Sequence, residues 1–170
     1  MNVKNLPFGT LDEFNVFVEI PKHSHNKYEY DEALDIIKLD RVLFGSQVYP
    51  GNYGFIPQTR ALDGDHADAL VLSTNPVPSG VVISCRALGI MHMVDHGEVD
   101  NKIIAVAIKD PRFEDIHTLQ DLPKHTLDEI KNFFETYKIL EKKDVEISVF
   151  EGVAEAKTEL EKTHQAYLNE

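Results

Sequence analysis

The sequence predicts a mainly β member of the α+β class: a small β-barrel with helices packed outside it. Three features carry that expectation. Short segments of strand character recur from Phe14 to Phe150. Two amphipathic helical segments stand towards the C-terminal end. Between them run no repeats, linkers or low-complexity stretches. A sheet closed on itself leaves outer surface for helices to cover. Such a barrel gathers residues far apart in sequence into one mouth.

Phe14, Val16, Val18 and Ile20 alternate with Asn15, Phe17 and Glu19, the period of a half-buried strand that Pro21 ends. Glu19 then lies on its less buried face. Lys27-Tyr28-Glu29-Tyr30 alternates again, with Lys27 and Glu29 on one face and both tyrosines on the other. Ile36 to Leu43 reads as the next strand, with Asp40 and Arg41 near its end, and its separation from Tyr30 predicts a hairpin. Tyr49-Pro50-Gly51-Asn52-Tyr53-Gly54-Phe55 reads as a rigid loop that displays its rings, with a Tyr53 phenol able to donate to a phosphate oxygen. A short apolar run from Ala69 to Ser73 follows the acidic turn. Val81 to Val94 is one long strand or two. His92 and His96 have a zinc-like spacing, but the segment is not helical and they read as ordinary histidines. Gly97 turns the chain between Asp95 and Asp100. Asp100 and Lys102 face the same way into the strand Ile103 to Ile108.

Lys109 to Pro123 is polar and irregular. Thr126 and Glu129 then predict a capping box. Leu127, Ile130, Phe133, Phe134, Tyr137 and Leu140 recur on one helix face. On periodicity alone Tyr137 is a core tyrosine and Lys138 a surface lysine. Val145 to Phe150 is a last strand. From Gly152 a second amphipathic helix carries Val153, Ala156, Leu160 and Tyr167 along one face.

The stretch with chemistry in it is Asp63-Gly64-Asp65-His66-Ala67-Asp68, three carboxylates within six residues at the mouth of a strand. Asp and Gly suit an ordinary turn. Three acids so close also repel one another unless cations sit among them, and hard cations such as magnesium take oxygen ligands. A calcium-binding helix–loop–helix is excluded, because its glycine and glutamate positions hold Asp68 and Thr74. The residues therefore point to a site for divalent metal and, through it, a phosphate compound.

Composition narrows the class. A chain of 170 residues, 42% hydrophobic, supports one core, so a single domain over 1–170 is expected. A formal net charge of -12 and no basic stripe argue against nucleic acid. Bound metals can still reverse the local sign towards an anion. Cys85 is the only cysteine, which fits a reducing compartment. No apolar stretch reaches the length of a membrane span, and Met1-Asn2-Val3-Lys4 leads into no signal-like run. A soluble cytoplasmic protein is expected.

Taken together these landmarks resemble the family I soluble inorganic pyrophosphatases over nearly the whole chain. They are Val18-Glu19-Ile20-Pro21, Lys27-Tyr28-Glu29, Asp40-Arg41, Tyr49-Pro50-Gly51-Asn52-Tyr53-Gly54, the Asp63–Asp68 run, Asp95 with Asp100 and Lys102, and Phe133-Phe134-Glu135 leading to Tyr137-Lys138. The resemblance implies an OB-like five-stranded barrel with flanking C-terminal helices. It implies hydrolysis of pyrophosphate to two phosphates with several Mg²⁺ ions per site. Asp63, Asp68, Asp95 and Asp100 would ligate metal, with Glu19 and Glu29 in support. Asp65 would be the base that deprotonates the attacking water. Lys27, Arg41, Tyr53, Lys102, Tyr137 and Lys138 would grip phosphate, and Tyr49 would line the site. It also implies a homo-oligomer, often a hexamer at this length. Two departures stand out. His66 occupies a position where the family commonly has proline, and Asn132 and Thr136 stand where many bacterial relatives carry contact-stabilising histidines. A phosphohydrolase of a nucleotide or other organic diphosphate is the rival enzyme. An OB-type module for single strands is the rival binder, but its groove should be basic.

Overall fold

A computed structural model describes residues 3–170. Nine strands and two α-helices follow one another in it. The strands are β1 (Phe14–Ile20), β2 (Asn26–Asp31), β3 (Ile36–Val42), β4 (Asn52–Phe55), β5 (Asp68–Leu72), β6 (Val82–Asp95), β7 (Glu98–Val99), β8 (Lys102–Ala107) and β9 (Val145–Glu151). The helices are α1 (Lys124–Thr136) and α2 (Val153–Leu168).

Five strands close into a ring. β1 pairs with β4, β4 with β5, β5 with β8, β8 with β6, and β6 returns to β1. That is the five-stranded barrel the sequence leads one to expect. β6 is long enough to pair also with β7 and β9, and β2 and β3 form a separate antiparallel hairpin. Only the β5–β8 pair in the ring is parallel. Both of its strands are almost wholly apolar, because both faces are covered. One face, with Leu70, Leu72, Ile104 and Val106, packs with Ile130, Phe133 and Phe134 of α1. The other, with Ala69, Val71, Ile103 and Ala105, packs with Ala156 and Leu160 of α2.

Gly54 lies where β4 crosses β1. A Cβ there would overlap the Phe17 carbonyl oxygen and crowd Glu19 N. Gly54→Ala is therefore expected to cost about 1–3 kcal/mol or more through forced strand separation. A urea titration checks this; an unchanged midpoint would mean that the ladder can yield.

Several local expectations are corrected. β1 is covered on both faces, since Phe17 is only 2% exposed and packs on Tyr30 and Phe55. The aromatic loop does not display its rings: Tyr49 is 1% and Tyr53 9% exposed, and the stretch from Asn52 is a strand. The capping box at Thr126 does not form, because the helix already begins at Lys124 behind Pro123. Pro123, at the N-cap, has no side chain able to cap the helix, and Thr126 N donates to the Pro123 carbonyl. Leu140 is exposed, because α1 ends at Thr136 and a 3₁₀ turn, Ile139–Glu141, carries it off the helix face. On α2 the buried positions are Ala156, Leu160 and Thr163, with Val153 and Tyr167 only half-covered.

Candidate active site

Register brings the charged residues together. In the parallel β5–β8 pair, Asp68 lies directly opposite Lys102, each the first residue of its strand. The loops that lead into those strands therefore share one end of the barrel. One is the acidic turn. Gly64, at φ +91, adopts a backbone that costs glycine little, and it reverses the chain between Asp63 and Asp65. Asp65 N donates to Asp63 Oδ1 at 3.0 Å, and Ala61 N to the Asp65 carbonyl at 2.7 Å. Behind the turn, Thr59 Oγ1 accepts from Ala67 N at 2.9 Å. The other loop runs from Asp95, the last residue of β6, to Asp100.

A cleft of about 490 Å³ opens over this end. Nine carboxylates line it: Glu19, Glu29, Glu32, Asp63, Asp65, Asp68, Asp95, Glu98 and Asp100. Lys27, Lys138, Tyr53 and Tyr137 stand among them. Lysines hold the acids apart. Lys102 Nζ, almost fully buried, reaches Asp68 Oδ2 at 2.7 Å and also bonds Asp100. Lys138 bonds Asp95, and Lys27 bonds Glu29. The Tyr53 hydroxyl donates to Asp68 Oδ2 at 2.6 Å.

The remaining repulsion shows in the acidities. Burial, then the charges of Asp63 and Asp68, raise Asp65 above the usual carboxylate range. Burial, then Asp68 and Asp95, raise Asp100 although Lys102 opposes them. Glu19 is pushed up to about 8 by burial and by Asp68. Burial lowers Lys102, but Asp68 and Asp100 outweigh it and hold the ammonium charged. Burial first, and neighbouring acids next, push the Tyr53 hydroxyl up; burial and the Tyr49 phenol do so for Tyr137. Both phenols therefore remain donors.

Does this donor set suit a metal? Among the described residues no three of these groups already converge on one point as ligands. The lysines occupy the places between them. Yet Asp95 Oδ1 is buried with no hydrogen-bond partner, on a residue that lines a cleft where acids outnumber cations. A buried carboxylate oxygen without a donor is costly, and a cation satisfies it. Oxygen donors without thiolates suit a hard divalent ion rather than a soft one.

A family model for inorganic pyrophosphatase matches residues 16–168. The chain belongs to the inorganic pyrophosphatase family. An inorganic pyrophosphatase of Halalkalibacterium halodurans is 54% identical over 144 residues, 85% of this chain and 88% of that protein. The crystal structure of the Thermus thermophilus inorganic pyrophosphatase superposes with a TM-score of 0.96 at 43% identity, covering 99% of both chains. That of the Helicobacter pylori enzyme gives 0.93 at 45%, covering 96% of this chain and 99% of the other. Membership of this family brings a metal cofactor with it, and the donor set fits one.

Of the residues expected from sequence, Glu19, Lys27, Glu29, Tyr53, Asp63, Asp65, Asp68, Asp95, Asp100, Tyr137 and Lys138 all line the cleft. Three do not. Lys102 lies beneath its floor, between Asp68 and Asp100. Arg41 stands opposite Lys27 across the hairpin, with its guanidinium on Asp40 and Glu141. Tyr49 is packed behind Tyr53 and Phe133. Lys138 is not the surface lysine that helical period predicts, since it is 9% exposed and bound to Asp95. α1 stops just before it, so helical period no longer applies.

Sequence reasoning passed over Glu32 and Glu98 as lining groups, and His66, singled out there only as a departure from the family, lines the cleft as well. Glu98 had a signal, since it lies between two expected ligands. Glu32 had none, because only the hairpin's docking brings it near. His66 stacks on the Phe55 ring at 4.8 Å, and its Nδ1 lies 2.8 Å from the Thr59 carbonyl.

Proposed function

We propose that this chain hydrolyses inorganic pyrophosphate to two orthophosphates, with magnesium held in the cleft. One observation carries the reading: a single mouth, on a chain of this family, crowds nine acids among lysines and protonated phenols. Asp63, Asp68, Asp95 and Asp100 would hold the metal, with Glu19 and Glu29 beside them. Bound magnesium supplies positive charge towards a polyanion and an acidified water. Asp65 accepts a proton from the attacking water. Lys27, Arg41, Tyr53, Lys102, Tyr137 and Lys138 bring N–H and O–H donors to the phosphate groups and to the charge that develops on the leaving one.

The test is phosphate release by the purified protein from pyrophosphate and from ADP, with and without Mg²⁺. Magnesium-dependent release from pyrophosphate is expected. Preference for ADP would hand the site to the nucleotide reading. Asp68→Ala should raise the magnesium requirement about tenfold or more, because it removes an oxygen from the middle of the set. An unaltered requirement in a magnesium titration would argue against ligation by Asp68.

We also propose a homohexamer in the cytoplasm. Among the described residues no helix is long and apolar enough to cross a membrane. Exposed Ile139 and Leu140 follow α1, and exposed Phe44 and Val48 lie on the segment that Gln47 ties to Thr136. These apolar residues support burial between copies. Light scattering gives the mass directly; a monomer across the working concentration range would refute it.

A further inference from the structure

We infer that Glu141 is a positioning residue for the phosphate-gripping Arg41. Its carboxylate holds Nε of that guanidinium, so that the remaining N–H donors stay aimed at substrate. The inference rests on the pyrophosphate reading above and extends it to a residue outside the cleft.

Glu141 and Arg41 are 100 residues apart in sequence, yet Arg41 Nε donates to Glu141 Oε1 at 2.9 Å. The Glu141 side chain is only 7% exposed, so water competes little for this bond. Its place is set by the turn that ends α1. Glu141 N donates to the Lys138 carbonyl at 2.9 Å, and Lys143 N to the same oxygen at 3.3 Å. Lys142, at φ 58, closes the turn. The segment that presents Tyr137 and Lys138 to the cleft therefore also sends a carboxylate back to the β2–β3 hairpin.

Arg41 needs such a hold. It sits on β3, whose pairing with β2 is irregular next to it: Lys27 faces Arg41, but Tyr28 faces Leu39. The extra residue is Asp40, which bonds Arg41 Nη1 and lies 3.5 Å from Lys27 Nζ. Asp40 alone would draw the guanidinium along the hairpin. The charge-assisted bond from Nε to Glu141 holds it instead against the turn that follows α1. The Arg41 charge is felt at both Tyr49 and Tyr137, where it opposes the upward push that burial gives their pKa. Arginine has five N–H donors in a fixed fork. With Nε on Glu141 and one Nη1 hydrogen on Asp40, three remain for phosphate oxygens. A guanidinium fixed before substrate arrives loses less freedom on binding.

The test compares wild type, Glu141→Gln, Glu141→Ala, Arg41→Lys and Arg41→Lys/Glu141→Gln, measuring kcat and KM for pyrophosphate and the magnesium requirement. Glu141→Ala should lower kcat/KM about tenfold, mostly through KM, with the magnesium requirement unchanged. Glu141→Gln, which keeps an acceptor, should recover part of that loss. In the Arg41→Lys background, which has no Nε–H to hold, Glu141→Gln should add nothing. If Glu141→Ala fails to fold, the isosteric Glu141→Gln decides by the same two comparisons. An equal loss with and without Arg41, or an altered magnesium requirement, would show that Glu141 acts on the fold or the metal set, and overturns the inference. So would wild-type kcat/KM in every Glu141 variant. Absence of pyrophosphate hydrolysis by wild type, by contrast, would remove the functional reading itself.

Discussion

Asp65→Asn is expected to lower turnover of pyrophosphate by ~10² or more while leaving magnesium affinity near wild type. The contrast among the acids is the reason. Asp68 and Asp100 share the Lys102 ammonium, Asp95 holds Lys138, and Glu29 holds Lys27. A carboxylate bonded to a permanent cation is a poor base. Among the described residues no lysine or arginine pairs with Asp65, and burial with two acid neighbours raises its proton affinity. Asp63 also lacks a cation there, but its Oδ1 accepts from Asp65 N and is committed to shaping the turn. Asparagine keeps the size of Asp65 and removes only its ability to take a proton. Single-turnover phosphate release and a magnesium titration on the same samples test both halves. Turnover within a factor of a few of wild type would take the base role away from Asp65. A large shift in magnesium requirement would make it a ligand instead.

The second large effect should be on stability. Lys102→Met removes the ammonium buried between Asp68 and Asp100 and leaves those carboxylates facing each other. Breaking a buried ion pair by deleting one partner typically costs about 3–5 kcal/mol, because the other charge stays buried without compensation. Here two charges are stranded, and Asp68 already raises Asp100 with the lysine present. Methionine fills similar space, so the loss reports charge rather than a cavity. Magnesium bound by the native state stabilises it through mass action. It should restore more stability to the variant than it adds to wild type. Urea melts with and without Mg²⁺ measure this. Equal stability in metal-free buffer would mean that the two acids are solvated well enough to tolerate each other.

Much of this was legible in the residues. The alternation of Phe14–Ile20 and the apolar run after Asp68 mark strands, since side-chain period follows from backbone geometry alone. The acidic turn could be recognised as a candidate cation site by elementary repulsion, and its three aspartates do line the cleft. What misled was solvent exposure. Phe17, Tyr49 and Lys138 each looked partly or fully exposed by local pattern, and each is covered by an element from elsewhere. Tyr30 of the hairpin packs on Phe17, Phe133 of α1 on Tyr49, and Asp95 at the end of β6 binds Lys138; no window of neighbouring residues contains that information.

Local chemistry in the chain by itself determined the strands, the two helices, the Gly64 reversal and the choice of oxygen donors. Those depend on backbone sterics, side-chain period and ligand type, all properties of adjacent residues. Tertiary structure alone decided which acids are neutralised and which are free. That depends on the parallel register setting Asp68 against Lys102, on the α1 turn delivering Lys138 to Asp95, and on Glu141 meeting Arg41. Electrostatic interaction falls with distance through a poorly screening interior, so the state of each acid is set by whichever charge the fold brings within a few ångströms.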